Sequence, residues 1–275
     1  MHVVTPHAAP DPSDQTHWSF PDTESGILAA LDGGATHLWA NTIVFKTHPL
    51  QISSQLSDRS DEVKIVGQPP CLVELYDDKR YVNDWLRSTG HFSMPQAWTL
   101  NRTTSSDAAA QVTSLDLTFP IVAKPCRGRG SAGVKLCKTV AELARHIESL
   151  YQDSSVVMLE EFLRGEEATV TVMPPSSSTS DYWAMPVVTR FNHEDGIAPY
   201  NGNVAVTSNS RTVSAKAFEA DSTYADVAKQ CEGVARLLKV TAPIRIDVRR
   251  RKDESRSPFV LFDINMKPVS SVLSV

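Results

Sequence analysis

The chain has no excess of positive charge. Its 27 Lys and Arg against 32 Asp and Glu leave a formal net charge of −5 and a pI near 5.9. Without a basic field there is nothing to draw the chain to a nucleic-acid backbone, and no such partner is expected. Cysteine is scarce: Cys71, Cys126, Cys137 and Cys231 stand apart without metal-ligand spacing, which suits a reducing compartment and a cytoplasmic location. Cys126 and Cys137 read as small buried side chains rather than redox groups. No apolar run has the length to span a bilayer, so no membrane partner is expected. Residues 1–20 are polar, with several prolines and histidines and no signal-peptide core, and are expected to form a disordered leader. Internal repeats are absent. The remaining composition, 41% hydrophobic and 21% charged over 275 residues, is that of an ordinary globular chain of one or two domains.

Against these absences stand three polar constellations. Ile-Arg-Ile-Asp-Val (244–248) is followed fifteen residues later by Phe-Asp-Ile-Asn (262–265). Strand alternation puts Arg245 with Asp247 on one face, and Asp263 with Asn265 on one face of a second strand, alternate residues lying about 6.6 Å apart. The polar stretch 249–258 can turn the chain back, so a hairpin would gather two carboxylates, an amide oxygen and a guanidinium. Hard cations such as Mg²⁺ choose such oxygen ligands, and the arginine would face any phosphate that the metal holds. A hairpin with an ordinary polar face is the alternative.

Phe-Pro-Ile-Val-Ala-Lys (119–124) is a short apolar strand ending in Lys124, and Gly128, Gly130, Ser131 and Gly133 follow. Glycines with a serine among them let backbone N–H groups approach phosphate oxygens closely. The Gly-Lys-Ser/Thr ending of a Walker loop is missing. A flexible surface hairpin explains the loop equally well. Third, the apolar run 156–163 meets Glu160 and Glu161, breaks at Arg164 and Gly165, and resumes as an alternating strand over 168–173. Such a strand–linker–strand exposes backbone donors and acceptors beside a carboxylate, as an adenine edge and a ribose require; solvated turn glutamates are the alternative.

Elsewhere the pattern predicts a helix over 22–31, a buried strand over 37–45 and a short strand over 63–67. A helix should follow Asp78, with Val82, Trp85 and Leu86 inward. Thr139 to Glu142 reads as a capping box opening a helix that buries Leu143, Ile147 and Leu150. A last helix over 222–238 carries Val227, Cys231, Val234 and Leu238 on one face, and 176–180 reads as a surface turn.

Taken in order, Lys79, Lys124, the Gly-rich loop, Glu160 to Leu163, Glu167, Arg245-x-Asp247 and Asp263-x-Asn265 resemble the ATP-grasp enzymes, and within them the D-alanine–D-alanine ligases. The likeness runs over about 72–268 and rests on seven ordered elements. It implies an α/β chain with two lobes clasping ATP, preceded by a reduced Rossmann-like N-terminal domain. The expected boundaries are 21–75 for that domain and 76–275 for the ATP-grasp part, divided into a small lobe over 76–160 and a large lobe over 161–275.

The resemblance also implies roles. Lys79 and Lys124 would contact the ATP phosphates, and Gly130, Ser131 and Gly133 would lie in a loop closing over the γ-phosphate. Glu160, Glu161 and the backbone at Phe162 and Leu163 would read adenine, and Glu167 the ribose. Asp247, Asp263 and Asn265 would hold Mg²⁺ or Mn²⁺. Arg245, with Ser131 and Tyr200, would serve catalysis, Arg245 stabilising an acyl phosphate. The segment 190–202 falls where the family covers its acceptor, which makes Arg190 and Tyr200 substrate-site candidates and His193 a weaker one. The expected function is ATP-dependent ligation of a carboxylate to an amine, with amino acids the expected substrates; phosphoryl transfer of this kind needs charge neutralisation more than a protein nucleophile. A homodimer is allowed. Two departures stand out: Val269 follows Pro268 where the family has glycine, and the sequence reads as shortened at both ends, which removes part of the acceptor pocket. A nucleotide-binding protein that holds ATP and Mg²⁺ without turnover is the alternative function.

Overall fold

The computed structural model describes residues 2–39, 44–104, 107–128, 130–193, 196–197 and 209–266. Most of its described α-helices start where a polar side chain satisfies a free N–H group of the first turn; those at Pro70–Tyr76 and Thr223–Leu238 lack such a cap. Thr23 accepts from Gly26 N at 3.2 Å and opens α1 (Glu24–Asp32). After β1 (His37–Leu38) come two single-turn helices, α2 (Pro49–Ile52) and α3 (Ser54–Ser57), and then β2 (Lys64–Ile65), which pairs in parallel with β1. Ile27 and Leu31 of α1 meet Leu56 of α3 in a small core. The strand expected over 37–45 is thus two residues long where it is described, and 40–43 lie outside the described residues. The expected disordered leader carries a 3-10 turn at Gln15–His17, where the Asp14 carboxylate accepts from Thr16 N at 2.9 Å.

Helix α4 (Pro70–Tyr76) leads to α5 (Lys79–Thr89), which Asp78 caps by accepting from Tyr81 N at 3.1 Å and which Gly90 ends at φ 67°. The smaller sheet follows. It comprises β3 (Ala97–Asn101), β4 (Ile121–Pro125), β5 (Lys135–Cys137) and β6 (Val156–Glu161), ordered β3-β6-β4-β5 and antiparallel throughout. Two helices, α6 (Ala108–Thr113) and α7 (Val140–Leu150), bury Val112, Leu143 and Ile147 against Ile121 and Leu159 of this sheet. The expected cap is present: Thr139 Oγ1 accepts from Glu142 N at 3.2 Å, while the Glu142 carboxylate reaches back to Lys138 N at 2.9 Å.

The larger sheet is built from β7 (Glu167–Met173), β8 (Trp183–Ala184), β9 (Val188–Arg190) and β10 (Ser210–Thr212). After α8 (Ala215–Ala220) and α9 (Thr223–Leu238), β11 (Ile244–Arg250) and β12 (Phe259–Asn265) complete it. The strand order is β10-β9-β7-β11-β12, and β8 pairs with Val172 and Met173 of β7, beyond the stretch that pairs with β9. Alternation in β11 separates its two faces: Ile244, Ile246 and Val248 are fully buried in the core, so Arg245, Asp247 and Arg249 take the opposite face. Helix α9 supplies Val227, Cys231, Val234 and Leu238 to that core, as its spacing predicts.

One boundary moves. Tyr76, Val82, Leu86 and Met94 join the core of the larger sheet, not the smaller one. Helix α5, expected to open the small lobe, therefore shares the core of the larger sheet, where it packs on β12. Among the described residues no helix is long and apolar enough to cross a membrane.

Candidate functional site

The polar faces of the two sheets enclose a cleft, and its floor is sealed by a buried ion pair. Lys124, near the end of β4, sets its Nζ 2.6 Å from Glu160 Oε2 on the neighbouring β6, with both side chains about nine-tenths or more buried. Asn83 of α5 donates to the other Glu160 oxygen at 3.2 Å, and Lys124 also donates to the Phe262 carbonyl of β12 at 3.2 Å. Lys124 thus joins the two lobes. Glu160, expected to read adenine, is occupied by this lysine in the structure. A charge so deep is tolerated only with a partner and further hydrogen bonds, and both are present.

Beside the floor lies the hairpin face. The register sets Asp247 of β11 opposite Asp263 of β12, and Arg245 opposite Asn265. Arg245 Nε donates to Asp247 Oδ1 at 3.2 Å, and Asn265 Nδ2 donates to Asp247 Oδ2 at 3.2 Å. Lys79, at the first turn of α5, lies 2.9 Å from Asp263 Oδ1. Burial pushes the Asp263 carboxyl up, yet Lys79, with Lys124 and Arg245 further off, outweighs it and holds the group below the usual carboxylate range. The set is two carboxylates and an amide, so among the described residues no cluster of three or more His, Cys, Asp or Glu forms.

The rim of the cleft is built differently. Gly130 and Ser131 adopt φ of 60° and 58°, and both line the cleft. Gly133, at φ 72°, is seated elsewhere: its carbonyl faces His146 Nε2 at 2.9 Å, and its Cα backs onto Leu150 and Pro125. The structure therefore brings Gly130 and Ser131 to the cleft but turns Gly133 towards α7. The loop is tied at its root, where Arg127 pairs with Glu74 at 3.2 Å and Lys79 N donates to Cys126 O at 2.9 Å. Burial pushes the Cys126 thiol up to about 11, which makes it an inert packing residue at neutral pH.

At the far end runs the linker between β6 and β7. Glu161 turns its carboxylate to Arg251, both oxygens 2.7 Å from NH1. Phe162 and Leu163 line the cleft, and among the described residues the Leu163 main chain takes no backbone hydrogen-bond partner. Glu167, buried at the start of β7, faces His193 Nε2 at 2.9 Å and Arg249 NH1 at 3.6 Å. Arg249 lies over the Phe162 ring, 4.8 Å from its centroid, and donates to the Gly165 and Gly196 carbonyls at 3.0 and 2.7 Å. Arg190 lines the same end, and among the described residues its buried Nε has no hydrogen-bond partner. Tyr200 falls outside the described residues.

Most of the residues singled out from the sequence thus converge on one cleft; Arg249, Phe262 and Asn83 were missed. Arg249 had a readable signal, since it continues the alternation of Arg245 and Asp247. The polar stretch 249–258 reads as the turn, whereas β11 runs on to Arg250 and the turn begins after it. Asn83 had no signal, because a helical asparagine becomes a ligand of Glu160 only through tertiary packing.

Comparisons with known proteins bear on the family and the fold. A family model described as the D-ala D-ala ligase C-terminus matches residues 92–274, more than half of the chain. D-alanine–D-alanine ligase A of Bacillus cereus is 35% identical over 57 residues, 21% of this chain and 19% of that protein. The aligned stretch is thus less than a fifth of that relative's length. Among solved structures, a D-alanine–D-alanine ligase from Bacillus anthracis complexed with ATP superposes with a TM-score of 0.57 at 18% identity, covering 81% of this chain and 66% of its own. The VanG D-Ala:D-Ser ligase from Enterococcus faecalis gives 0.57 at 18% identity, covering 74% and 56%. These two likenesses establish the ATP-grasp fold.

Proposed function

The chain belongs to the D-Ala–D-Ala ligase C-terminal family, and from that premise we propose that it is an ATP-dependent ligase joining a small carboxylate, an amino acid, to an amine in the cytoplasm. The observation that carries this reading is the cross-strand register of Asp247 with Asp263 and of Arg245 with Asn265. It sets oxygen donors and a guanidinium side by side, opposite two cleft lysines from other elements.

The donor set suits a hard divalent cation. Asn265 directs its amide nitrogen at Asp247, which leaves its carbonyl oxygen for a ligand, and two carboxylates stand beside it. Asp247, Asp263 and Asn265 would hold Mg²⁺ or Mn²⁺, which supplies neutralisation of phosphate charge when bound. The far end suits a nucleotide: the main chain at Leu163, without a backbone hydrogen-bond partner among the described residues, would offer a donor and an acceptor to an adenine edge, with Glu167 beside it for the ribose hydroxyls.

Each residue then has a task. Lys124 meets the phosphates from a fixed position, and Lys79 exchanges Asp263 for them. Gly130 and Ser131 bring backbone N–H groups over the terminal phosphate. A substrate carboxylate oxygen attacks the γ-phosphorus, the bond to the bridging oxygen breaks, and ADP leaves. Arg245 stabilises the acyl phosphate so formed. The amine nitrogen attacks the acyl carbon, phosphate departs, and the amine gives up a proton to yield a neutral amide. The protein contributes position and charge, which is the main catalytic requirement of phosphoryl transfer.

The test is release of ADP and phosphate from Mg-ATP across a panel of D- and L-amino acids. Release that depends on an amino acid, with matching amide in the mass spectrum, is the expected outcome. ATP binding without any amino-acid-dependent ADP would refute the ligase reading.

A further inference from the structure

Arg190 has no role in the chemistry described so far, yet its setting is unusual. It closes β9 at the rim of the cleft, and its Nε is sealed from solvent with no hydrogen-bond partner among the described residues. A buried guanidinium N–H without an acceptor is costly and calls for a ligand. Among the described residues no carboxylate pairs with it. Glu167 is its direct cross-strand partner in the register, but that carboxylate is taken by His193 at 2.9 Å and lies 3.6 Å from Arg249. The positive charge of Arg190 is therefore left facing the cleft.

Register shows which part of a ligand it meets. Arg190, Glu167 and Arg249 form one row across β9, β7 and β11, and Val188, Thr169 and Asp247 form the next, with Asp263 beside Asp247. Arg190 thus stands two strand spacings, about 10 Å, to the side of β11, and one row, about 6.6 Å, along from Asp247. Its neighbours belong to the linker end: Arg249 covers Phe162, and Gly196, six residues after Arg190, sits close against the same ring. The cation nearest the reacting end is Arg245, not Arg190.

We propose that Arg190 is a nucleotide-binding residue that donates to the α-phosphate, the anionic group next to the sugar, and so fixes the nucleoside end of ATP while the hairpin holds the other end. Arginine suits this place because its fork of donors matches phosphate oxygens, and its charge is not consumed by Glu167. The assignment rests on the ATP reading above, and its test separates the two.

The experiment measures affinities of the full chain for ATP, ADP, AMP and adenosine by calorimetry, with competition for the weak ligands, in wild type, Arg190→Met and Arg190→Lys. The expected result is an equal loss for ATP, ADP and AMP, about tenfold or more as for a hydrogen bond to a charged group. Adenosine affinity stays unchanged, and the lysine variant recovers part of the loss. Equal weakening of adenosine would make Arg190 structural and overturn the proposal. Unchanged nucleotide affinity with a raised KM for the amino acid would overturn it in favour of a substrate-carboxylate anchor. Wild type that binds none of the four compounds would remove the ATP reading itself, and Arg190's role with it.

Discussion

The two ends of the cleft wall are built on opposite principles. At the floor each charge has its partner within the fold: Lys124 with Glu160 and Phe262, Arg245 and Asn265 with Asp247, and Lys79 with Asp263. At the rim, Gly130 and Ser131 sit in left-handed backbone, and Arg190 Nε has no hydrogen-bond partner among the described residues. The floor is arranged before any ligand arrives, at the cost of ion pairs that phosphate and metal would have to replace. The rim is left incomplete and would be completed by the ligand. Preorganised electrostatics belong where charge must be held rigidly, and open donors where a ligand must enter.

The sharpest way to break this contrast is at the floor. Lys124→Ala would leave Glu160 as an uncompensated buried charge, so a loss of about 3–5 kcal/mol is expected in urea unfolding. A loss below 1 kcal/mol would mean that the floor is no more preorganised than the rim. At the loop, Gly133→Ala places a Cβ 2.9 Å from Leu150 at φ 72°, and about 1–2 kcal/mol is expected from the left-handed conformation. An equally large effect from Ser131→Gly, which relieves such a conformation, would contradict that ranking.

The hairpin itself is anchored at its far end by Arg250, which donates to Asp221, Thr223, Glu166 and the Ser257 carbonyl. Burial raises the Asp221 carboxyl, but bonds from Thr223 and the charge of Arg250 prevail and hold it below the usual range. A depressed folded value means that this stabilisation is complete above the ordinary carboxylate pKa of about 4 and is lost as pH falls through the folded one. Asp221→Asn should therefore flatten the acid side of the stability–pH profile below about pH 4, measured by denaturant midpoints; an unchanged slope would detach Asp221 from the anchor. The smallest effect concerns reactivity. Cys71 is exposed whereas Cys126, Cys137 and Cys231 are buried, so a thiol reagent at neutral pH should modify the native chain once, at Cys71, as read by peptide mass. Rapid labelling of Cys126 would show that the root of the loop opens.

Much of the hairpin was legible because strand periodicity is local: alternate residues share a face whatever the rest of the chain does. The cap of α7 and the apolar face of α9 are legible for the same reason. The seat of α5 is not, since an amphipathic helix states that one face is buried but not against which sheet. Nor is the pairing of Glu160, because nothing within reach in sequence announces Lys124, which sits on another strand, as its partner.

By itself, then, the sequence determined which residues could share a face, where helices begin, and which oxygen donors and cations the chain has to spend. The fold decided how they are spent: it closed Lys124 on Glu160, put Asn83 beneath both, turned Gly133 away, and left Arg190 without a counter-charge among the described residues. The physical reason is range. Backbone periodicity and capping act over a few residues, whereas the pairing of buried charges depends on which surfaces meet, and that is settled only when distant segments pack.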